Sequence, residues 1–222
     1  DVTDLEEHKE ILSIKLKSQQ ALSDIIKEFT KPNIKIDNIL KKIIENNHTC
    51  NSIYLYEIID EQLEINLLNK YIKNEEKHLS LPDKLELKEL RWVIGSLEKD
   101  SFINKLDVSK TDDPNIKKLF IEKGVNSILA FPIFDKDNNF THFILIENYR
   151  NRYCSDELIY LLKNITQLFE NYLSKLKLQN ELKEKEKQDK LIYYISQHLF
   201  NFVNVTEDQK IEVLNKINEV FK

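Results

Sequence analysis

The sequence predicts an α+β domain: a central antiparallel sheet of five or six strands flanked by helices, with long helices at both ends. Two hairpin patterns support this prediction. Residues 52–59 and 63–68 are rich in β-branched and aromatic side chains and are separated by a short polar turn. Residues 127–134 and 140–148 repeat the arrangement around the turn 135–139. Amphipathic helical patterns lie before, between and after these hairpins.

The segments around the first hairpin are predicted from periodicity and helix breakers. Residues 1–30 place apolar side chains at heptad-compatible spacing, and Pro32 ends that helix. A second amphipathic helix follows over 36–44. Residues 73–86 are polar and contain Pro82, which predicts a loop.

Short elements are expected between the hairpins. Residues 87–97 predict a helix that carries Trp92, and residues 101–106 predict a strand. Asp113 followed by proline has the pattern of a helix start, and Gly124 suits the end of that helix.

The last helix is predicted to start at Ser155, which can cap it, with Asp156 and Glu157 in the first turn. Neither Gly nor Pro interrupts the segment that follows, so we expect the helix to run past Asn180.

Composition argues against several classes of protein. The 222 residues carry a net charge of -5, and Lys and Glu alternate instead of forming a basic face, so nucleic acid is not an expected partner. Only two glycines occur, which leaves no glycine-rich phosphate loop. No apolar run approaches the ~20 residues of a membrane span, and the polar N-terminus is unlike a signal peptide. With only two cysteines, Cys50 and Cys154, we expect a cytoplasmic location.

Residues 124–173 resemble the GAF family. In order, the matching features are Gly124, Ser127, an apolar strand with Pro132, a turn with Asp137, a second apolar strand, and the acidic helix start at 155–157. The similarity extends over roughly 20–180 and implies the GAF fold.

The chain also departs from the family pattern. Members often carry Trp before the last helix, where this chain has Tyr153 and Cys154. The signature of cyclic-nucleotide-binding members is not satisfied, since Arg152 stands where Phe is expected, and there is no Cys-His pair of the bilin-attaching kind. The resemblance therefore implies neither of these ligands.

Four segments are expected along the chain. Residues 22–46 and 193–221 share a pattern of helix, polar break and helix, which resembles the opening of a second GAF domain. The alternative is a chance likeness of two amphipathic helices.

Because Met is absent, we expect a piece of a longer or processed protein. The segments are a connecting helix 1–20, the sensor domain 21–175, a helical linker 176–192 and the C-terminal helical segment 193–222.

The resemblance implies a non-catalytic sensor in signal transduction. Such a domain binds a small molecule and passes the signal through paired helices to an effector, such as a two-component histidine kinase or a diguanylate cyclase. The alternative is a structural dimerisation module with a filled core and no ligand. No Ser-His-Asp or Cys-His arrangement stands in a recognisable motif, so no catalytic residue and no cofactor are predicted.

The resemblance also implies where a ligand would bind, in the cavity between the sheet and the helices and loops over its outer face. Trp92 stands where a lid would be expected, after a long loop. Aromatic strand residues also commonly serve as core. The candidate pocket residues are Tyr54, Tyr56, Trp92, Phe102, Phe131, Ile133, Phe143 and Leu145.

Histidine and cysteine residues do not predict a metal site. No two histidines have the spacing of metal ligands. His142 lies in mid-strand between apolar residues, while His48, His78 and His198 lie in polar or unrelated contexts. Cys154 precedes a predicted helix start, where its thiol pKa would be lowered if exposed, although burial is the simpler reading.

The flanking helices are predicted to form a parallel coiled-coil homodimer. Lys175 and Gln179 interrupt the apolar seam and would keep two packings close in energy. The seam residues on the last helix are Ile165, Leu168, Tyr172 and Leu182.

Overall fold

The computed structural model of the protein describes residues 2–46, 50–59, 64–73, 81–148, 156–199 and 211. The chain divides into two compact units, Asp1–Tyr172 and Leu173–Lys222. The first unit holds a sheet with its helices, and the second holds the C-terminal part of the last helix. The four segments expected from the sequence stay a prediction.

Six strands form one antiparallel sheet in the order β3-β2-β1-β6-β5-β4. Both predicted hairpins are present, and the pairing of β1 with β6 joins them at the centre of the sheet. The predicted α+β fold is therefore confirmed. The strands are β1 (Ser52–Ile59), β2 (Glu64–Ile72), β3 (Lys84–Glu86), β4 (Ile103–Lys105), β5 (Ser127–Phe134) and β6 (Phe140–Asn148).

Five helices accompany the sheet in the described ranges. The side chain of Asp113 caps α4 by accepting hydrogen bonds from the backbone N–H groups of Asn115 (2.8 Å) and Ile116 (3.3 Å). Gly124 follows with φ 75, a conformation that glycine adopts without strain. Ser155 lies outside the described residues. The helices are α1 (Val2–Phe29), α2 (Ile36–Glu45), α3 (Arg91–Leu97), α4 (Pro114–Ile116, extended by a wide turn Lys117–Ile121) and α5 (Asp156–Leu199).

The sequence missed the extent of the short elements. The predicted loop 73–86 contains β3. This strand has three residues and one buried side chain, Leu85, so it is too short to show an alternating apolar pattern. The predicted helix 87–97 is a 3-10 turn, Leu87–Glu89, followed by α3. The predicted strand 101–106 is reduced to β4 at the edge of the sheet.

Side chains alternate along each strand, so the sheet has two distinct faces. The helix face is covered by α2 and the first part of α5. Asn69 Nδ2 donates to Asp37 Oδ1 of α2 at 2.6 Å, and the backbone N–H of Phe134 donates to Glu170 Oε1 of α5 at 3.3 Å. The loop face is covered by α3, α4 and the irregular segments around them.

Helix α1 packs against both other helices of the helix face. The ring of Phe29 meets Phe169 of α5 edge-on at 5.0 Å, so the two flanking helices of one chain contact each other. Glu28 is 6% exposed and accepts hydrogen bonds from Lys31 (2.6 Å) and from Lys42 of α2 (2.5 Å). These bonds to Lys31 and Lys42 lower the pKa of Glu28. Within the described ranges, no helix is both long and apolar enough to cross a bilayer.

Candidate functional site on the loop face

A single buried cluster occupies the loop face of the sheet. Side chains of β1, β2, β5 and β6 form its floor, and side chains of α3, α4 and the adjoining segments cover them. The cluster combines large apolar side chains with two tyrosines, so it differs from a purely aliphatic core. Its members at the centre of the floor are Tyr54, Tyr56, Ile128, Ala130, Phe143 and Leu145.

Five of the eight candidate pocket residues share this cluster. Trp92 is partly buried and packs against it from α3. The other four are fully buried in the floor. As ligand contacts these five stay a prediction. They are Tyr54, Tyr56, Trp92, Phe143 and Leu145.

The other three candidates lie on the helix face. Phe102 stacks on Phe131 at 5.3 Å, and the Lys163 ammonium of α5 lies 4.8 Å from the Phe102 ring. Ile133 pairs with His142, two residues along β5 from Phe131. Because side chains alternate, Phe131 and Ile133 point away from Ala130, which belongs to the loop-face cluster. The prediction that these three residues line one pocket with the other five is therefore wrong.

Three aromatic rings form a continuous stack on the floor. Tyr54 stacks on Tyr56 at 6.0 Å, and Tyr56 stacks on Phe143 at 5.3 Å across the β1–β6 pair. The Tyr56 hydroxyl donates to the backbone carbonyl of Pro82 at 3.2 Å, which ties the floor to the segment above it. Burial, with smaller contributions from Glu147 and Asp83, raises the pKa of Tyr56, so the phenol stays neutral.

A charged residue that is not among the predicted site residues, Glu147, lies beside this stack. Glu147 is 0% exposed, and its Oε2 accepts a hydrogen bond from Ser52 Oγ at 2.8 Å. Burial lowers the pKa of Lys123, and the charge of Glu147 opposes that shift. A signal was present in the sequence: Glu147 follows the apolar run of 143–146, where an acid is unexpected.

Trp92 and Lys105 form a second polar edge of the cluster. The Lys105 ammonium lies 6.0 Å from the centre of the Trp92 ring, at the limit of a cation–π contact. Lys105 pairs with Ile128 and therefore shares the loop face with it.

The histidine and cysteine candidates do not assemble into a site. His142 lies on the helix face, with Nε2 3.9 Å from Glu57 Oε1. Cys50 is fully buried. In the part of the chain that the structure describes, no group of His, Cys, Asp and Glu could hold a metal ion. His48, His78, Cys154 and the side chain of His198 lie outside the described residues.

A groove of about 360 Å³ lies between α1 and α5, apart from the loop face. Its lining includes Lys15 of α1 together with Asp156, Glu157 and Tyr160 of α5. Tyr160 is 64% exposed. This groove holds charges of both signs on a largely apolar surface.

The predicted seam residues of α5 divide by burial. Ile165 is 0% exposed inside its own chain, so it cannot contact a partner, which corrects its place in the predicted seam. Leu168 is partly buried, and Tyr172 packs against Phe29 at 6.1 Å. Leu182 is 53% exposed.

Known proteins resemble this chain in structure. No protein-family model matches it, and no curated protein is similar in sequence. The phycocyanobilin-bound GAF domain of a cyanobacterial phytochrome has a TM-score of 0.60 at 14% identity, covering 73% of this chain and 96% of its own. The GAF domain of an Acinetobacter phosphoenolpyruvate-protein phosphotransferase has a TM-score of 0.54 at 15% identity, covering 74% and 97%. Free methionine-R-sulfoxide reductase of Neisseria meningitidis, in complex with its substrate, has a TM-score of 0.54 at 12% identity, covering 72% and 89%.

Proposed function

We propose that this chain, which has the fold of GAF domains, is a non-catalytic sensor that binds a small molecule on the loop face. The signal would pass through the paired flanking helices to an effector such as a histidine kinase or a diguanylate cyclase. The observation that supports this most is the loop face itself. Aromatic rings and buried polar groups lie together under irregular segments, and such segments open at lower free energy than packed helices. One structure with this fold is described as phycocyanobilin-bound.

The absence of a catalytic role is also a proposal. One structure with this fold is a reductase, so the fold is compatible with catalysis. Reductases that work through thiols need an accessible cysteine, and Cys50, the cysteine that lies among the described residues, is fully buried, while Cys154 lies outside them.

A xenon titration separates the sensor from a structural module with a filled core. Xenon enters apolar cavities, so we expect pressurised xenon to shift the methyl NMR signals of Leu145 and Ile65 on the loop face. The equally buried Ile144 and Ile146 of the helix face are the matched controls, and we expect their methyl NMR signals not to shift. If the loop-face methyls do not shift, the core is filled and the structural module is the better assignment.

Pairing of the flanking helices is the second part of the proposal. Leu12 and Leu16 of α1 lie one turn apart and are 65% and 68% exposed, and Tyr160 of α5 is 64% exposed. In a two-fold dimer the same patch meets itself, so Lys15 of one copy can pair with Asp156 of the other. A second copy of this chain is therefore the partner that fits the groove.

A charge in this surface is expected to break the dimer. Light scattering should show a dimer for the wild type and a monomer for Leu16→Glu, because the new carboxylate would be buried without a partner. Ile121→Glu, which alters a 37% exposed residue away from α1 and α5, is the control and should remain dimeric. A dimeric Leu16→Glu variant would show that this surface does not pair the helices. A monomeric variant whose effector still responded fully to ligand would show that the signal does not pass through helix pairing.

A further inference from the structure

Phe102 links the loop face of the sheet to the helix face at the edge formed by β4. The apolar residues before and after it, Leu97 of α3 and Ile103 of β4, belong to the loop-face cluster. Phe102 itself stacks on Phe131 of the helix face at 5.3 Å, with the two rings 9° from parallel. Successive side chains of an extended segment point to opposite faces, so Phe102 and Ile103 separate. The segment 98–102, here called the edge connection, therefore joins α3 to a ring on the helix face.

The edge connection is short and is hydrogen-bonded to α3. Four residues separate Leu97 from Phe102. The backbone N–H groups of 98–100 donate to the carbonyls of Ile94 and Ser96 in α3 at 2.8–3.2 Å. Because these bonds fix most of the connection to the helix, a displacement of α3 moves Phe102 and is not taken up by slack in the chain.

Helix α5 holds the Phe102 ring on the helix face. The Lys163 ammonium lies 4.8 Å from the ring centre, inside the range of a cation–π contact. Seven residues further along α5, Glu170 Oε1 accepts a hydrogen bond from the backbone N–H of Phe134, the last residue of β5, at 3.3 Å. Residues seven apart lie on nearly the same face of a helix, so one face of α5 contacts both β5 and the edge connection.

Helix α3 lies over the proposed binding site. Ile94 and Leu97 pack into the loop-face cluster, and Trp92 packs against it from the same helix. The helix also contacts β4 and β5. A ligand that enters between α3 and the floor displaces α3, because a packed interior does not accept added atoms without movement. The displacement then reaches α5 through the Phe102 ring.

We propose that Phe102 couples the loop-face site to α5, as the contact through which a change at α3 shifts this flanking helix. The inference rests on the proposed sensor function and assigns the route of its signal. Phe102 is a positioning residue, since its ring lies on the face opposite the site and acts through Lys163 of α5. Small shifts between packed elements are one of the recurring forms of switching transitions.

A double-mutant cycle followed by methyl NMR on the full chain tests this route without a ligand. Ile94→Val removes one buried methyl group from α3, and the signals of Leu162 and Ile165, both 0% exposed on α5, report the response. We expect these signals to shift in the wild-type background and to shift at least about threefold less in the Phe102→Ala background. The loop-face signals of Leu145 should respond equally in both. Comparison within each background cancels the constant effect of the ring on neighbouring signals.

Three further variants make the result specific. Phe102→Tyr keeps the ring and should restore the wild-type response. Phe102→Leu keeps apolar packing but offers no ring face to the ammonium, so it should weaken the response, and it serves if Phe102→Ala does not fold. Tyr71→Ala is the matched control and should leave the response unchanged. It removes a partly buried ring of the helix face from the other side of the sheet, where the Tyr71 hydroxyl donates to Glu45 of α2 at 3.4 Å.

Three outcomes overturn the proposal. Equal α5 shifts in the wild-type and Phe102→Ala backgrounds, or no α5 shift on Ile94→Val, would show that α3 and α5 are not coupled through this ring. A reduction in Tyr71→Ala as large as that in Phe102→Ala would show that the loss of any ring on the helix face loosens the domain. These outcomes leave the proposed sensor function in place, whereas a negative xenon titration removes the sensor function without changing the result of the cycle.

Discussion

Replacing Phe143 with alanine is expected to destabilise the protein by about 3–5 kcal/mol. The ring is 0% exposed at the centre of the sheet, stacks on Tyr56 at 5.3 Å and contacts Phe140 at 6.4 Å. Its removal takes away the transfer free energy of the ring and leaves a cavity that paired strands on both sides cannot close. Urea unfolding followed by circular dichroism measures the change as a lower midpoint at unchanged slope.

The control for this variant is Leu106→Ala, because Leu106 is 43% exposed. We expect it to cost less than about 1 kcal/mol. A comparably small cost for Phe143→Ala would mean that the loop-face cluster is loosely packed, contrary to the stack described above.

Acidification is expected to lower stability by roughly 2–3 kcal/mol through His142 alone. The side chain is 13% exposed, and burial lowers its pKa from 6.5 to about 4. Between these values the imidazole is neutral in the folded protein and protonated in the unfolded chain. Unfolding therefore takes up a proton, and stability falls as the pH drops from about 6.5 to about 4 and then levels off. Glu57, with Oε1 3.9 Å from Nε2, is 39% exposed, so solvent screens its attraction for the imidazolium.

Comparison with His142→Gln isolates this contribution, because the carboxylates and the other histidines titrate in both proteins. Unfolding free energies measured from about pH 8 to about pH 4 should fall more steeply for the wild type, and the difference should span the interval between the two pKa values. Parallel curves would show that the pKa of His142 is the same in the folded and the unfolded protein, so that burial does not lower it.

The local elements could be read from the sequence because each depends on neighbours in the chain. The turn between β5 and β6 is an example: Asp135 Oδ1 accepts hydrogen bonds from the backbone N–H groups of Asp137 and Asn139, both at 2.9 Å. Asp113 and Gly124 likewise delimit their helix by backbone chemistry within a few residues. The same holds for the alternating and helical apolar patterns that predicted the longer strands and helices.

The candidate site could be predicted only in part, because its residues are brought together by contacts between segments that are distant in the chain. Phe131 and Phe143 are equally aromatic and both lie on central strands, but the register assigns them to opposite faces. In the sequence, Glu147 directly follows an apolar run, and nothing in that pattern indicates burial. Its burial depends on β1 and β5 lying on either side of β6.

By itself the sequence determined the α+β class, the two hairpins, the ends of α4 and the long helices, since these follow from short-range periodicity and capping. Only the tertiary structure decided that β1 pairs with β6, which joins hairpins more than 50 residues apart in the chain. That pairing places Glu147 beside Ser52. The packing of α5 in the tertiary structure likewise buries Ile165 inside the chain. Contacts between distant segments depend on packing that no local pattern encodes. A shift of one residue in the pairing of two strands would move every side chain of the shifted strand to the other face of the sheet.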